Sequence, residues 1–369
     1  MRPTPLQTVA DIAAYRQGKA APPGAVKLSS NECCYPPLPV VQEAITATIG
    51  QIHRYPNMAA TGLLDRLAQR HDVDPGQIAI GAGSVEVTSQ LIHAMAGAGD
   101  EVIFPWRSFE AYPSLVRIAG ATPVKIPLNQ DARLDLPAML AAVTERTRVI
   151  FVCNPNNPTG TTLTRRDLEE FVEVVPRNIL VVIDEAYVHF DTSDAAGAGL
   201  DLFRSYPHVS TLRTFSKAYG LAGLRVGFAI APAEVATNLR KVAIPFGVTN
   251  LAQTAAQASL DAEDQLQARI AETVAERRRL FAVLHEAGWQ PVPSEANFIW
   301  VPAGSRTDEL DERLREGGVI ARAFAGEGIR ITVGTSEDTE RIAAALSTTA
   351  DTTLASAPAR TVRTAGGRP

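Results

Sequence analysis

Lys217 is the residue with the clearest capacity for chemistry, because it lies among small residues between two apolar runs, residues 209–212 and 226–230. Burying an ammonium without a partner is costly, so a lysine is a poor choice for packing here. Desolvation lowers the pKa of such an amine and lets it form a Schiff base with an aldehyde. Arg225 follows with a planar guanidinium suited to a phosphate. The pattern predicts an amine that reacts with a phosphorylated aldehyde; a surface lysine in a glycine-rich loop is the alternative.

Three loops carry side chains that could assist this amine, and each follows an apolar run: residues 154–160 after 149–153, residues 184–187 after 179–183, and Ser216-Lys217 after 209–212. They contribute an amide, a carboxylate, a phenol and the amine, from Asn157, Asp184, Tyr187 and Lys217. Asparagine also marks turns, and a strand-ending aspartate often caps a helix, so each has an ordinary explanation alone. If the three loops leave one sheet at the same edge, these four side chains lie around one cavity, and this is the arrangement that we predict.

A glycine turn at residues 81–84 predicts an anion site, since it follows an apolar run at 78–80 and precedes a helical pattern. Free backbone N–H groups and the helix dipole converge at such a junction. The turn lacks the third glycine of a dinucleotide fingerprint, so a tight connection without a ligand is the alternative.

The elements that must position these residues alternate between strand and helix. Continuous apolar runs predict strands at residues 78–80, 102–104, 122–126, 149–153, 179–183, 209–212 and 226–230. Helices are expected at residues 39–50, after Thr61 as a cap, and between Thr164 and Pro176, where Thr164 and Asp167 form an approximate capping box. We expect an α/β fold with a large, doubly wound, mostly parallel sheet that binds ligands at the carboxyl ends of its strands.

The pattern changes after Pro245. A helical region covers residues 250–287, broken near Asp261 and ended by Gly288, and short strands at 297–301, 319–321 and 329–333 surround a helix at 307–316. We interpret this part as a smaller α+β domain. The predicted division is an N-terminal segment of the small domain at residues 1–44, a large cofactor-binding domain at 45–248, the small C-terminal domain at 249–346 and a disordered tail at 347–369.

The composition of this 369-residue sequence argues against nucleic-acid binding, metal binding and membrane association. The net charge of -5 offers no basic patch, so no nucleic-acid partner is expected. The three cysteines lack metal-ligand spacing and the six histidines are scattered, so no metal site is predicted. No apolar signal core begins the chain and no apolar run reaches membrane length; we therefore expect no membrane partner and a cytoplasmic location.

Four motifs occur in an order and spacing that resembles the fold-type I pyridoxal-phosphate aminotransferases: Asn157-Pro158-Thr159-Gly160, Asp184-Glu185-Ala186-Tyr187, Ser216-Lys217 and Leu224-Arg225-Val226-Gly227. Further segments are similar to the histidinol-phosphate aminotransferase branch: Ser30-Asn31-Glu32, Arg54-Tyr55-Pro56 and residues 330–334. Within that branch, FPWRSFEAYP, FVCNPNNPTG, LRTFSKAYGLAGLR and ARAFAGEGIRITV are most similar to the aromatic amino acid (phenylalanine) aminotransferase subgroup.

The resemblance implies pyridoxal 5′-phosphate as the cofactor and assigns its contacts. Lys217 would bind the aldehyde and later shuttle a proton, and Asp184 would pair with the protonated ring nitrogen. Asn157 and Tyr187 would hydrogen-bond the 3-oxygen. Phe109 would stack on the ring, with a plain core role as its alternative.

The resemblance also implies where the cofactor phosphate rests: on backbone N–H groups of Gly83, Ser84 and Val85, on the Ser216 hydroxyl and on Arg225. Tyr55 resembles a tyrosine that reaches the phosphate of the neighbouring subunit. If it does so here, only a homodimer has a complete active site. A simple packing role is the alternative for Tyr55.

On the substrate side, Arg330 matches the arginine that grips the α-carboxylate, and further candidates are Arg322, Asn31, Arg107 and Tyr15, for which surface roles are the alternative. The expected reaction is transamination between an aromatic L-amino acid and 2-oxoglutarate. The same chemistry on histidinol phosphate stays open. A decarboxylase of phosphorylated amino acids is disfavoured by the subgroup motifs. A regulator without turnover is disfavoured because all the cofactor groups are present and no basic helix-turn-helix pattern precedes residue 40.

Overall fold

The computed structural model describes residues 2–14 and 21–347. Tyr15 and residues 348–369 of the predicted tail lie outside the described residues. The strands are β1 (Val26–Lys27), β2 (Ile78–Gly81), β3 (Glu101–Trp106), β4 (Thr122–Pro127), β5 (Thr147–Cys153), β6 (Leu180–Asp184), β7 (Val209–Thr214), β8 (Gly227–Ile230), β9 (Phe298–Val301), β10 (Val319–Ile320), β11 (Arg322–Phe324) and β12 (Gly328–Thr332).

The α-helices are α1 (Gln7–Ala10), α2 (Pro39–Thr48), α3 (Thr61–His71), α4 (Ser84–Met95), α5 (Tyr112–Ile118), α6 (Leu136–Ala141), α7 (Arg165–Val174), α8 (Ala198–Ser205), α9 (Ala233–Val242), α10 (Asn250–Asp261), α11 (Glu263–Glu286), α12 (Thr307–Glu316) and α13 (Ser336–Ser347). Short 3-10 turns occur at Ile49–Gln51, Pro75–Gln77, Val188–Phe190, Ala222–Leu224 and Gly304–Arg306.

Seven strands form the central sheet in the order β2-β8-β7-β6-β5-β3-β4. β8 runs antiparallel to both of its neighbours, and every other neighbouring pair is parallel. Because β2 is antiparallel to β8, it points the same way as the remaining strands. The predicted mostly parallel sheet is confirmed.

Alternate residues of the central strands enter two different hydrophobic clusters. In β5, Ile150 and Val152 join the cluster on one face, while Val149 and Phe151 join the cluster on the other. Successive side chains of a strand point to opposite faces, so both faces of the sheet are covered. This two-sided burial is the reason why these strands are continuous apolar runs.

A third hydrophobic cluster occupies the C-terminal part of the chain. It joins α11, α12 and α13 to the antiparallel sheet β11-β12-β9. Leu28 belongs to the same cluster, and β1 pairs in parallel with β10. The N-terminal segment therefore packs with C-terminal elements, although the predicted domain boundaries stay predictions.

Several local predictions can be compared with the backbone. Thr164 and Asp167 form the expected capping box at the start of α7. The long helical region is broken at Ala262, and Gly288, with φ +82°, follows its end. The prediction for Thr61 is wrong, because α3 begins at Thr61 itself after Ala60, and no side chain caps the helix. The Thr61 hydroxyl instead accepts a hydrogen bond from Asn57 at 2.9 Å.

Candidate active site

A cavity of about 790 Å³ lies at the edge of the central sheet where β5, β6 and β7 end. Its walls contain the amide, carboxylate, phenol and amine from the three loops, namely Asn157, Asp184, Tyr187 and Lys217. Other predicted site residues also line it: Asn31, Ser84, Val85, Phe109, Ser216, Arg225, Arg322 and Arg330.

Strand topology explains why these loops meet. β5, β6 and β7 are parallel neighbours, and their register places Cys153 beside Asp184 and Asp184 beside Leu212. The loops that follow them must therefore leave the sheet at one edge. β8 runs the opposite way, so Arg225, just before it, lies at the same edge.

The environment of Lys217 makes its amine reactive. Its pKa is lowered to about 7, first by desolvation and then by the nearby Arg330 and Arg225 guanidinium groups, while Glu32 and Asp184 oppose this change. Lys217 Nζ donates a hydrogen bond to the Ser30 carbonyl at 3.3 Å. Near neutral pH about half of such amines are uncharged and nucleophilic.

Asp184 is buried, with 5% of its surface exposed. Desolvation is the main cause that raises its pKa to about 6, even though hydrogen bonds from the Tyr112 hydroxyl and the Ala186 amide lower it. Tyr112 donates to Oδ2 of Asp184 at 2.5 Å. We did not identify Tyr112 from the sequence as a site residue, because nothing in its spacing relates it to a carboxylate 72 positions later.

Tyr187 is held by a chain of polar contacts from the N-terminal and C-terminal elements. Asn31 Nδ2 donates to the Tyr187 hydroxyl at 3.0 Å, and the Thr332 hydroxyl donates to Asn31 Oδ1 at 3.2 Å. Asn31 has a φ of +53° and is 1% exposed. Its amide side chain therefore supports Tyr187, in addition to lining the cavity.

Arg330 extends from β12 into the cavity and is buried. Its Nη1 donates to Asn157 Oδ1 at 2.6 Å, and its Nη2 donates to the Ser29 carbonyl at 2.8 Å. The guanidinium also lies 5.5 Å from the centre of the Phe298 ring. These contacts orient a cation beside Asn157, as a group that binds a carboxylate requires.

Two more arginines lie near the cavity and are paired with carboxylates. Arg322 Nη2 donates to both carboxylate oxygens of Glu110, at 3.0 and 3.1 Å. Arg107 forms a two-point ion pair with Glu327 at 2.7 and 2.5 Å, and it does not line the cavity. The charge of each guanidinium is therefore largely balanced.

A cradle for an anion forms where α4 begins. Gly83 has a φ of +82°, and a Cβ there would lie 2.3 Å from Arg225 Nη2. Arg225 Nη1 donates to the Ser216 hydroxyl at 3.4 Å. Ser84 and Val85 open the 12-residue helix α4, whose N-terminus favours negative charge. The close approach of backbone and guanidinium suits a phosphate of the predicted cofactor.

Tyr55, like Gly83 and Arg107, does not line this cavity. It is 81% exposed, and its ring centre lies 4.7 Å from that of Phe246. Its predicted contact with a neighbouring subunit stays a prediction. Among the described residues, no helix is long and apolar enough to cross a membrane, and no cluster of three metal-ligating side chains is found in residues 2–14 and 21–347.

Comparison with known proteins finds a family model and relatives that are all aminotransferases. The family model "Aminotransferase class I and II" matches residues 23–346. The "Aromatic amino acid aminotransferase" of Cutibacterium acnes is 55% identical over 333 residues, covering 90% of this chain and 95% of the relative. The protein of the same name from Streptomyces avermitilis is 52% identical over 329 residues, covering 88% of this chain and 92% of the relative.

Solved structures extend the comparison to the fold. The histidinol-phosphate aminotransferase from Sinorhizobium meliloti, in complex with pyridoxal-5'-phosphate, has a TM-score of 0.82 at 30% identity and covers 87% of this chain and 89% of its own. N-Succinyldiaminopimelate aminotransferase from Mycobacterium tuberculosis has a TM-score of 0.80 at 26% identity, with 88% and 93% covered.

Proposed function

The chain belongs to the class I and II aminotransferase family, and from that premise we propose that it moves the amino group of an aromatic L-amino acid to 2-oxoglutarate with pyridoxal 5′-phosphate as its cofactor. The observation that carries the proposal is one cavity in which the amine of Lys217, the carboxylate of Asp184 and the guanidinium of Arg330 meet. The names of the close relatives support the aromatic substrate.

The residues present fit this cofactor. Ser216, Arg225 and the start of α4 would hold its phosphate, Asp184 would hold the proton of its ring nitrogen, and Asn157 and Tyr187 would hold the 3-oxygen. When bound, the cofactor supplies an aldehyde for an amine and a ring that accepts electrons from the α-carbon of the substrate.

Lys217 supplies both a nucleophile and a proton carrier. With a pKa of about 7, its amine exists in both protonation states near neutral pH. It can therefore attack a carbonyl as the free base, and it can take a proton from the substrate α-carbon and return it elsewhere. A lysine with the ordinary pKa is almost entirely an ammonium at neutral pH, so it would be inefficient both as a nucleophile and as a proton acceptor.

Arg330 would bind the α-carboxylate that both amino acids and 2-oxo acids carry. It is buried and already oriented by Asn157 and Ser29, so little side-chain entropy is lost when a carboxylate arrives. Part of the cavity lining is apolar and includes Ile12, Leu115 and Ile118. An uncharged aromatic side chain suits such a surface.

The charge balance disfavours histidinol phosphate. That substrate lacks a carboxylate for Arg330 and brings a dianionic phosphate, which needs cations beyond those of the cofactor site. Beyond the cofactor site, the cations among the described lining residues are Arg330, which also donates to Asn157 and Ser29, and Arg322, which Glu110 neutralises. Balanced pairs attract a dianion weakly.

We infer that the protein works as a homodimer in which Tyr55 is donated across the interface. Its ring packs on Phe246, which is 41% exposed, and further exposed apolar side chains lie near these two residues in the sequence: Ile52 at 64%, Met58 at 63% and Ile244 at 62%. Clustered apolar exposure of this kind is typical of an interaction surface. The cytoplasmic location stays a prediction.

Purified holoenzyme tested with phenylpyruvate and glutamate, and separately with histidinol phosphate, decides between the two substrates. We expect kcat/KM to favour the aromatic pair, and a preference for histidinol phosphate of about a hundredfold would overturn the proposal.

The variant Arg330→Ala sharpens the comparison. Losing a buried cation that binds the carboxylate should lower kcat/KM for phenylpyruvate roughly 10²-fold, mainly through KM. The matched control is Arg166→Ala, which truncates an arginine whose side chain is 85% exposed on α7. Equal KM values in wild type and Arg330→Ala would remove the assignment of Arg330.

A further inference from the structure

Tyr112 is a fully buried residue that touches the most important acid of the cavity. It is 0% exposed, and its hydroxyl donates to Asp184 Oδ2 at 2.5 Å. The other carboxylate oxygen, Oδ1, accepts a hydrogen bond from the Ala186 amide at 3.3 Å. The short bond from Tyr112 is therefore the main side-chain contact that orients this carboxylate.

Aromatic packing fixes the position of the Tyr112 hydroxyl. The Tyr112 ring stacks on Phe151 with centres 4.8 Å apart, and it meets Phe109 edge to face at 5.4 Å. The Tyr112 amide also donates to the Phe109 carbonyl at 3.1 Å. A ring held on two sides in this way can present its hydroxyl in one direction only.

The charged and titratable groups around Asp184 do not provide an equivalent partner. Glu185 opposes ionisation of Asp184, while Lys217 favours it from a greater distance than a hydrogen bond. Burial raises the pKa of Cys153 and of Tyr187, and the nearby charge of Asp184 adds to both rises. Tyr112 is thus the neighbouring side chain that directly stabilises the ionised carboxylate.

We propose that Tyr112 is a positioning residue for the cofactor: its hydroxyl keeps Asp184 ionised and aimed at the place where the ring nitrogen would sit. This inference rests on the proposed function, because it takes Asp184 as the partner of that nitrogen. Without the Tyr112 donor the carboxylate would keep the longer hydrogen bond from the Ala186 amide, so it would be protonated more readily and be less restrained, and it would then pair less well with a pyridinium.

An ordinary core tyrosine is the competing explanation, since buried phenols usually find some acceptor. The two explanations differ in what the hydroxyl controls. A purely structural hydroxyl changes the free energy of unfolding alone. A positioning hydroxyl also changes the affinity for the cofactor and the pH at which that affinity falls.

The test uses Tyr112→Phe, which keeps the ring, and Tyr206→Phe as the control, because Tyr206 lies outside the cavity. Ligand-free protein is titrated with pyridoxal 5′-phosphate between pH 5 and pH 8. We expect Tyr112→Phe to bind the cofactor roughly tenfold more weakly at pH 7, and the control to bind like wild type.

The pH dependence gives the second readout. Protonation of Lys217, below its pKa of about 7, lowers the affinity of wild type and variant alike, and in wild type protonation of Asp184 should add a further fall below its pKa of about 6. Without the Tyr112 donor that pKa rises, so in Tyr112→Phe the fall should begin at a higher pH. Cofactor affinity and pH profile that match wild type would overturn the proposal, even if Tyr112→Phe is less stable.

A double-variant comparison separates this proposal from the assignment of Asp184. In Asp184→Asn the carboxylate is gone, so adding Tyr112→Phe should cost little further affinity, and a full tenfold additional loss would contradict the coupling. The double variant also carries no buried charge without a donor, which protects its folding. If Asp184→Asn alone binds cofactor and turns over like wild type, the proposed role of Asp184 fails. The hydrogen bond between Tyr112 and Asp184 can still be detected in that case, because the free energy of unfolding would then depend differently on pH in Tyr112→Phe and in wild type.

Discussion

At the scale of single residues, the desolvation of Lys217 has two opposite consequences. It makes the amine nucleophilic, and it weakens the fold. The folded pKa of about 7 lies below the ordinary value of 10.5, so between these values the unfolded chain binds more protons than the folded chain. The free energy of unfolding therefore rises with pH through this window, and below pH 7 the full cost of burying the ammonium applies.

This linkage predicts that Lys217→Met abolishes turnover and stabilises the ligand-free protein. At pH 6 the gain in the free energy of unfolding should be roughly 2–4 kcal/mol. Each pKa unit corresponds to about 1.4 kcal/mol, and screening by solvent in the cavity reduces the total. The gain should shrink as the pH approaches 10. Thermal unfolding at both pH values measures it, with the exposed Lys241→Met as the control. Turnover near the wild-type rate, or no gain at pH 6, would contradict the prediction.

At the scale of elements, the anion cradle depends on how closely β8 approaches the start of α4. A Cβ on Gly227, the first residue of β8, would lie 2.4 Å from the Ser84 amide nitrogen and 2.8 Å from the Gly83 carbonyl carbon. Both are backbone atoms and cannot rotate away. The glycine therefore allows the strand to approach the helix N-terminus at the place where the cofactor phosphate is proposed to rest.

Gly227→Ala should consequently separate these two elements. We expect a loss of about 1–3 kcal/mol in the free energy of unfolding and a clearly weaker affinity for pyridoxal 5′-phosphate, measured by denaturant titration and by cofactor binding. Gly223→Ala is the matched control, because a Cβ at Gly223 meets nothing within 4 Å. Cofactor affinity that is equal in the two variants would show that the close approach is not required for the cradle.

At the scale of the whole molecule, the exposed surface around Tyr55 and Phe246 is expected to be covered by a second copy of the chain. Phe246→Glu should weaken the dimer because it places a charge in an apolar interface. Tyr55→Phe should leave the dimer intact while lowering cofactor affinity about tenfold, as the loss of a hydrogen bond to a phosphate would.

Sedimentation of both variants, with cofactor titration at the same concentrations, checks this expectation. Val174→Glu, at a 56% exposed position on α7, controls for the effect of a new surface charge. A wild-type protein that sediments as a monomer and still binds cofactor tightly would show that Tyr55 has only a packing role.

The sequence by itself determined which residues are chemically capable and where the strands run. Runs such as residues 149–153 are apolar because both faces of the sheet are covered, so the strand signal was local and strong. A parallel sheet places the ends of such strands at one edge, which is why Asp184 and Lys217 could be predicted to share a cavity.

Only the tertiary structure decided which partners hold those groups. The contact of Tyr112 with Asp184 spans 72 positions, and that of Asn31 with Tyr187 spans 156. Thr61 had the sequence of a cap, yet the chain entered α3 through Ala60 instead. Periodicity and turn chemistry act over a few residues, whereas these contacts depend on how whole elements pack, and packing is a property of the complete chain.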